Sequence, residues 1–523
     1  MAQVPDVEIQ IANPLKVTLP PADRNFDKIP VKPLEPVYPP LVYSYRALTY
    51  SAPSFRPQIR PLRVGEDPTK KNKEGYAAFG IGNYHGLLTD LFLPVLLNER
   101  KNSTVAFRAF HNSFGSGPVG DQRSASGNTS VFADLRTNSK GVSAEASAGF
   151  KNGTARFYGY PENTDLKNDT LRISYSAASL DLKFANNRNS QYQYSGTVGF
   201  SQLWNNKEAS ETAIKLGGVT SIKAGKKGEL KLQGDYDLFS RADRSTPASR
   251  RHLARGHAFY RIKSQHLQAD VGLTGAAENE VLIEKFFHFY PLLRLKWQLA
   301  PRMNIEGNLG GNLQKVSLHN LSDINSWLDR DVTIAHHNER INAGTQINAA
   351  LGAGWSATAG LNYAEISNLY FFINQPNDSS RFGIVYDDAK KINPNLSLQF
   401  RKGRTAMELK ADYFSWNLTN ISAAFHRPEG QVEWNGNFSV SKMLSIRPYA
   451  LILWGIKAPV ASDPDAIIEL PAVTDVGFRF DIQLTEQASV QIRLHNMLGT
   501  SYSLLRQYPV RGFQGMAVLN WKF

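Results

Sequence analysis

The chain has 523 residues, 42% hydrophobic and 20% charged, with no cysteine and a formal net charge of +13. No apolar run approaches the roughly 18 residues that a transmembrane helix needs, and the absence of cysteine excludes a disulfide-stapled scaffold or attachment through an N-terminal cysteine. The basic residues are scattered, with no RNA-binding signature and no basic helix, which argues against a nucleic-acid partner and leaves lipopolysaccharide or anionic lipid as the acidic surface to expect.

Residues 1–74 hold 13 of the 27 prolines, among them Pro20-Pro21 and Pro39-Pro40. Each proline fixes φ and removes a donor, so neither a long helix nor a central strand is expected there. Pro30–Pro40 reads as an extended strap. The aromatic residues Tyr43, Tyr45, Tyr50 and Phe55 suggest that the strap leans on something, either a barrel lumen, a rim or a partner.

From about Tyr76 the pattern becomes strict alternation. Leu230, Leu232, Gly234, Tyr236 and Leu238 share one face of a strand, while Glu229, Lys231, Gln233, Asp235 and Asp237 share the other. The same alternation runs through Leu267–Leu273, Met303–Leu309, Trp355–Tyr363, Met407–Tyr413 and Val490–Leu494. It places Glu408, Asp412, Arg493 and His495 with Asp235 and Asp237 on the polar wall.

Short polar turns punctuate these strands at Asn98–Asn102, Asn138–Gly141, Asn186–Asn189, Gly225–Gly228, Lys263–Gln265, Pro301-Arg302, Gly352–Gly354, Lys402–Arg404, Lys442-Met443 and Thr485-Glu486. Longer loops lie between them, at Gly115–Gly127, Gly159–Asn168, Arg241–Arg255, Ser317–Asn338, Phe372–Ser380, Ala458–Leu470 and Ser503–Gly512. Short turns on one side and long loops on the other are the plan of an outer-membrane barrel. The expected architecture is all-β: residues 75–523 as a transmembrane antiparallel barrel of about 22 strands. Its short turns and both termini would face the periplasm and its long loops the exterior. A β-sandwich or propeller also alternates, but a wall of Glu, Lys, Asp and Asn has no partners in a dry core. On the closing strand Ala517, Leu519, Trp521 and Phe523 share the outward face, and the terminal Trp521 and Phe523 resemble the barrel-assembly signal of outer-membrane proteins.

About the last 130 residues resemble the C-terminal part of TonB-dependent receptor barrels. The resemblance is carried by Ile392–Phe400, Leu409–Trp416, Val490–Leu498 with Asn496 and Leu498 in register, Tyr502, Tyr508-Pro509 and Arg511-Gly512. Gly75–Tyr84 is similar to the first barrel strand of the SusC-like branch in Bacteroidota. The family implies an N-terminal plug far longer than the proline-rich segment here, so a plugless relative is expected. Two roles follow from the resemblance. One is a scaffolding subunit that holds surface lipoproteins, in the extreme beside an insertase-type barrel of the assembly machinery. The other is a passive or partner-gated channel for a solute or polymer.

Other chemistry is weak. Gly115–Gly120 matches G-x-G-x-x-G, but it lacks the preceding strand and following helix of a dinucleotide site and reads as an outer loop. His336 and His337, with Asp331 and Glu339, have metal-ligating side chains, yet adjacent strand residues point apart. No nucleophile–base pair can be placed. No enzyme activity, cofactor or metal is expected.

Overall fold

The computed structural model describes residues 74–523 apart from 99–102, 120–122, 140, 161–170, 187–190, 226, 244–248, 281, 283–284, 330 and 461–462. The strap expected within 1–74 lies outside the described residues except for Glu74. The strands in chain order are β1 (Tyr76–Gly82), β2 (Gly86–Asn98), β3 (Ser103–Phe114), β4 (Ser126–Ser139), β5 (Val142–Arg156), β6 (Arg172–Asn186), β7 (Tyr192–Asn205), β8 (Ser210–Ala224) and β9 (Gly228–Ala242). They continue as β10 (Ser249–Lys263), β11 (Leu267–Glu278), β12 (Phe287–Ala300), β13 (Met303–Gln314), β14 (His337–Gly352), β15 (Trp355–Asn374), β16 (Phe382–Lys402), β17 (Thr405–Tyr413) and β18 (Ser415–Leu418). The last are β19 (Gly430–Ser439), β20 (Leu444–Trp454), β21 (Lys457–Val460), β22 (Asp463–Glu469), β23 (Val473–Gln483), β24 (Ala488–His495), β25 (Ser503–Leu505), β26 (Tyr508–Pro509) and β27 (Gln514–Lys522). One short helix, α1 (Leu318–Ile324), lies between β13 and β14.

Twenty-three of these strands form one sheet, in which β17 and β18 are two pieces of a single strand against β16, broken at Phe414. The result is a closed antiparallel barrel of 22 strands, as the turn spacing predicts. Closure is made by β1 on β27, from Tyr76↔Lys522 to Gly82↔Met516. The Gly75 and Phe523 backbones exchange hydrogen bonds of 2.9 and 3.1 Å at the seam. Among the described residues the barrel sheet leaves no edge strand open, which is the condition for a sheet to sit in lipid.

All ten expected short turns join neighbouring strands of the barrel, from β2–β3 to β23–β24, and both ends of the barrel chain lie on that side. The β14–β15 turn shows why such turns need glycine: Gly352, Ala353 and Gly354 have φ of 91°, 52° and 94°. On the opposite side, β7–β8 and β1–β2 are also short, but most connections are long. The loop expected over Arg241–Arg255 is shorter than that span. β9 runs to Ala242 and β10 begins at Ser249, because Arg251 and Arg255 point inward and find carboxylates there instead of lying in a solvated loop.

The alternation becomes two chemically distinct walls. Outward positions expose large apolar side chains, among them Leu230, Leu232, Val271, Leu273, Leu361, Leu409 and Leu519. Inward positions are bridged across strands. Arg261 grips Asp270 at 2.6 Å, Lys296 meets Glu306 at 2.6 Å, Gln346 donates to Glu306 at 3.1 Å, and Thr358 donates to Asn348 at 2.7 Å. These rungs satisfy polar groups that a dry core would leave unpaired.

Candidate functional site

Membrane-crossing strands need about 10 tilted residues. β15 and β16 have 20 and 21, so they rise well beyond any bilayer on the loop side. There the barrel acquires a hydrophobic core of its own. A single packed cluster joins Ala177 of β6, Leu203 of β7 and Ala209 to Val316, Leu318, Leu321, Leu328, Val332 and Ile334 of the β13–β14 connection. The same cluster takes in Phe372, Phe382 and Tyr508. β6–β7 and β15–β16 are nine strands apart in a barrel of 22, and a barrel of that size is about 40 Å across. Residues from both sides can share one core only if the loops between them span the mouth, so the 315–336 segment and the β25–β26 hairpin form a cap.

Aromatic rings lock its centre. Trp327 stacks on Tyr508 with 3.9 Å between ring centroids, Tyr158 meets Tyr508 edge-on at 4.8 Å, and Trp327 Nε1 donates to Arg156 O at 2.8 Å. Tyr508 also donates its hydroxyl to Ser380 O. Burial pushes the Tyr158 phenol up to about 12 and that of Tyr508 well above its ordinary range, so both stay protonated donors. α1 is only seven residues long and is capped by Ser317, whose hydroxyl accepts from Asn320 N.

Buried ions tie the cap to the wall. Arg251 on β10 meets Glu211 at 3.2 Å and Glu280 at 3.1 Å and donates to Val316 O at 3.1 Å. Its guanidinium lies 5.1 Å from the centre of the Phe239 ring. Arg255 meets Asp235 at 2.5 Å and Asp237 at 3.4 Å, while Lys315 of the cap reaches Asp237 at 3.2 Å. Arg241 donates to Val332 O at 2.5 Å and pairs with Asp243. His336 accepts from Val316 N at 3.1 Å through Nδ1, so its proton sits on Nε2, which lies 3.3 Å from Glu280 Oε1. Burial, reinforced by Arg251, holds His336 neutral down to about 3, and burial raises the Glu280 carboxyl against the pull of Arg251. His426 donates Nδ1 to Phe372 O at 2.9 Å and accepts from Arg506 N at 3.3 Å, and burial lowers it to about 4.

Between the cap and the inner wall of β3–β7 lies a cavity of about 710 Å³. Lys151, Asn128 and Ser130 line it from the wall. His319, Asp323 and Trp327 line it from the 315–336 segment, and Arg511 from the last connection. Arg511 is fixed there by bonds to Ser116 O at 3.1 Å and Ser126 Oγ at 2.9 Å and by its stacking over Phe114.

The six candidate lumen residues do not converge. Asp235 and Asp237 belong to the Arg255–Lys315 network under the cap. Glu408 accepts from Gln399 and pairs with Lys410, and Asp412 accepts from Asn393 and Gln431, so both are rungs of the wall. Arg493 donates to Gln491, and His495 shares a 2.8 Å hydrogen bond with Tyr449, which in turn donates to Asp475 at 3.0 Å. Trp521 and Phe523 are exposed on the outer face at the turn-side end. His336 faces the arginine network and His337 packs near Tyr370, and no group of three metal-ligating side chains occurs among the described residues. Gly115–Val119 is a loop, with Gly117 pressed against Ser124 and no helix following. The residues that alternation could not reveal are Trp327, Tyr508, Arg251 and Arg511. The sequence signals were the richness of Ser317–Asn338 in Leu, Val and Ile for a loop and, for Tyr508 and Arg511, the family resemblance.

A capped, polar-walled, closed barrel with an apolar outer belt defines an outer-membrane β-barrel protein. Its fold is that of the TonB-dependent receptor barrels. The siderophore receptor PirA from Acinetobacter baumannii superposes with a TM-score of 0.68 at 9% identity, over 86% of this chain and 80% of that one. The FrpB iron transporter from Neisseria meningitidis gives 0.67 at 9% identity over 87% and 82%. The ferric-catecholate import receptor Fiu from E. coli K12 gives 0.65 at 10% identity over 87% and 82%. Each is named as a receptor or a transporter, none for catalysis. No family model and no curated protein sequence matches the chain.

Proposed function

We propose that this barrel is a gated outer-membrane channel that admits a solute, with its loop side facing outward and the loop cap as its outer gate. The observation that carries the reading is the coincidence of a polar lumen, a mouth spanned by one packed core, and a cavity of about 710 Å³ beneath it. Lys151 and Arg511 outnumber Asp323 around that cavity, a lining that suits a polar solute bearing negative charge. The structural neighbours, named as siderophore receptors and an iron transporter, support import over scaffolding. Attachment of lipoproteins or an insertase-type barrel draws on no feature described above. The outward Trp521 and Phe523 remain candidates for the barrel-assembly signal.

The test is single-channel recording of the full chain in planar bilayers. The intact protein should carry little steady current. Trp327→Ala combined with Tyr508→Ala should open large, long-lived steps, with or without deletion of residues 2–73. Large steady current from the intact protein, or silence from the cap variant in both forms, would refute the gate.

A further inference from the structure

The outer wall of β3–β7 changes character along its height. Near the turn side its outward residues are apolar: Val131 and Leu135 on β4, Val142, Ala144, Ala146 and Ala148 on β5, Leu180 and Leu182 on β6. That belt ends at Phe150 and Trp204, whose ring centroids are 6.2 Å apart, the aromatic edge expected at a membrane interface. Toward the loop side the same outward face turns polar. Asn152 donates to Ser174 and Ser176 at 3.0 and 2.8 Å, and Thr154 and then Arg156 follow on β5. His111 and Thr129 share a 2.8 Å hydrogen bond alongside. These rows border an outer pocket of about 320 Å³ that Arg156 and Arg172 close. On β12 the outward face instead stays apolar to its loop-side end, where Phe287 and Phe289 are 71% and 79% exposed. The sector of β3–β7 therefore differs from that of β12 at the same end.

Arg156 stands directly opposite Arg172. Like charges facing across a strand pair repel, and neither guanidinium has a carboxylate within ion-pairing range among the described residues. Arg156 Nη1 is moreover buried without a hydrogen-bond partner. Elsewhere in this barrel Arg241, Arg251 and Arg255 have acidic partners, and Arg427 and Arg511 are held by carbonyls and aromatic rings. Two forked cations held together with no anion of the protein form a receptor for an external one.

Height identifies the class of ligand. Arg156 lies six residues beyond Phe150 on one strand. At about 3.3 Å per residue and a tilt near 40°, that is about 15 Å above the apolar edge. A headgroup layer is only about 5–8 Å deep, so a simple phospholipid leaves the pair out of reach. A lipid with sugars between its acyl chains and its anion spans the gap, and the amide and hydroxyl rows at Asn152, Thr154, Ser174 and Ser176 suit sugar hydroxyls. We propose that the outward face of β3–β6 binds an anionic glycolipid of the lipopolysaccharide type. Its chains lie on the Val131–Phe150–Trp204 surface and its phosphate or carboxylate lies between Arg156 and Arg172. Placing it in the outer leaflet rests on the loop side facing outward, as proposed above.

The test titrates the full chain in detergent with lipopolysaccharide and, separately, with phosphatidylglycerol. Lipopolysaccharide should bind more tightly, and Arg156→Gln with Arg172→Gln should weaken it at least about tenfold while leaving phosphatidylglycerol unchanged. Equal affinity of the double variant and the parent for lipopolysaccharide, or equal preference of the parent for the two lipids, overturns the site. Should the double variant fail to form a heat-modifiable barrel, Arg172→Gln alone, at an exposed position, is read in its place and should weaken binding about threefold; unchanged affinity again overturns the site. Labelling of Lys207→Cys on intact cells by an impermeant reagent is expected. Labelling only after the outer membrane is breached overturns the outer-leaflet placement independently of binding.

Discussion

The turn-side half of the barrel and the loop-side half are built on different principles. Among the described residues the turn-side half has no apolar core comparable to that of the cap. Its stability comes from the closed backbone ladder and from polar rungs such as Arg261–Asp270, with apolar side chains turned out to lipid. The loop-side half resembles a small soluble domain, with buried aliphatic residues, stacked rings and desolvated ion pairs. The contrast teaches that one chain can carry a permanent wall and a separable closure. Residues that hold the cap can fail while the wall stands.

The sharpest way to break that contrast is at Arg251. Its removal strands Glu211 and Glu280, whose side chains are both 2% exposed. Breaking a buried ionic group by deleting one partner costs about 3–5 kcal/mol. Arg251→Ala should release the cap, seen as rapid hydrogen exchange over 315–336, while β1–β5 stay protected and the barrel stays heat-modifiable. Loss of the whole barrel would show that the two halves are one cooperative unit. Replacing Arg251, Glu211 and Glu280 together by apolar residues should restore most of the protection.

Acid should attack the same half. His336 and His426 are neutral in the fold, with their titration moved down to about 3 and about 4, chiefly by burial. In an opened cap they titrate near 6.5. On these two rings the opened state therefore binds more protons below that pH, and their contribution to cap stability is full above about 6.5 and falls as pH drops toward 4, opposed in part by Glu280, whose raised carboxyl takes up its proton in the fold. For His426 alone the loss is on the order of 3 kcal/mol. The chemistry explains the sign, because each ring accepts a backbone N–H, from Val316 or Arg506, that a second ring proton would displace. Exchange over 315–336 and 419–429 measured from pH 7.5 to 4.5 checks this. A flat profile, or equal loosening of the wall, counts against it.

The two halves were also unequally legible. The wall could be read from sequence because period-two alternation and short turns are local properties, and nine of the ten turns carry Asn, Gly, Pro or Lys, the exception being Thr485-Glu486. The cap could not, because its partners are far apart in the chain. Tyr508 meets Tyr158, Trp327 and Phe382, and nothing in linear spacing connects them. Asp235 and Asp237 were visible as inward acids, but Arg255 and Lys315, which neutralise them, become neighbours only through strand register and loop folding. Within Arg241–Arg255, expected as a loop, β10 begins at Ser249, and the acids that Arg251 and Arg255 meet lie outside the segment. The free Arg156–Arg172 pair likewise emerges only from the β5–β6 register.

A milder lesion at the centre of the cap grades the comparison. Phe382 is fully buried, and its ring lies 5.8 Å from that of Tyr508 and 5.5 Å from that of His426. Phe382→Leu keeps an apolar side chain but loses ring contacts, at an expected cost of about 1–1.5 kcal/mol. Channel recordings should then show brief flickers instead of sustained opening.

The smallest effect belongs to the wall. Lys296 and Glu306 make a 2.6 Å pair on the inner face, but their side chains remain 54% and 33% exposed. A solvated pair of this kind contributes about 0.5 kcal/mol. Glu306 also accepts from Gln346, so it is not left unpartnered when Lys296 is removed. Lys296→Ala should therefore shift the urea midpoint of barrel unfolding only slightly and leave exchange in the cap untouched. A large shift would mean that the inward rungs act as one coupled network, and that the wall, like the cap, depends on buried charge.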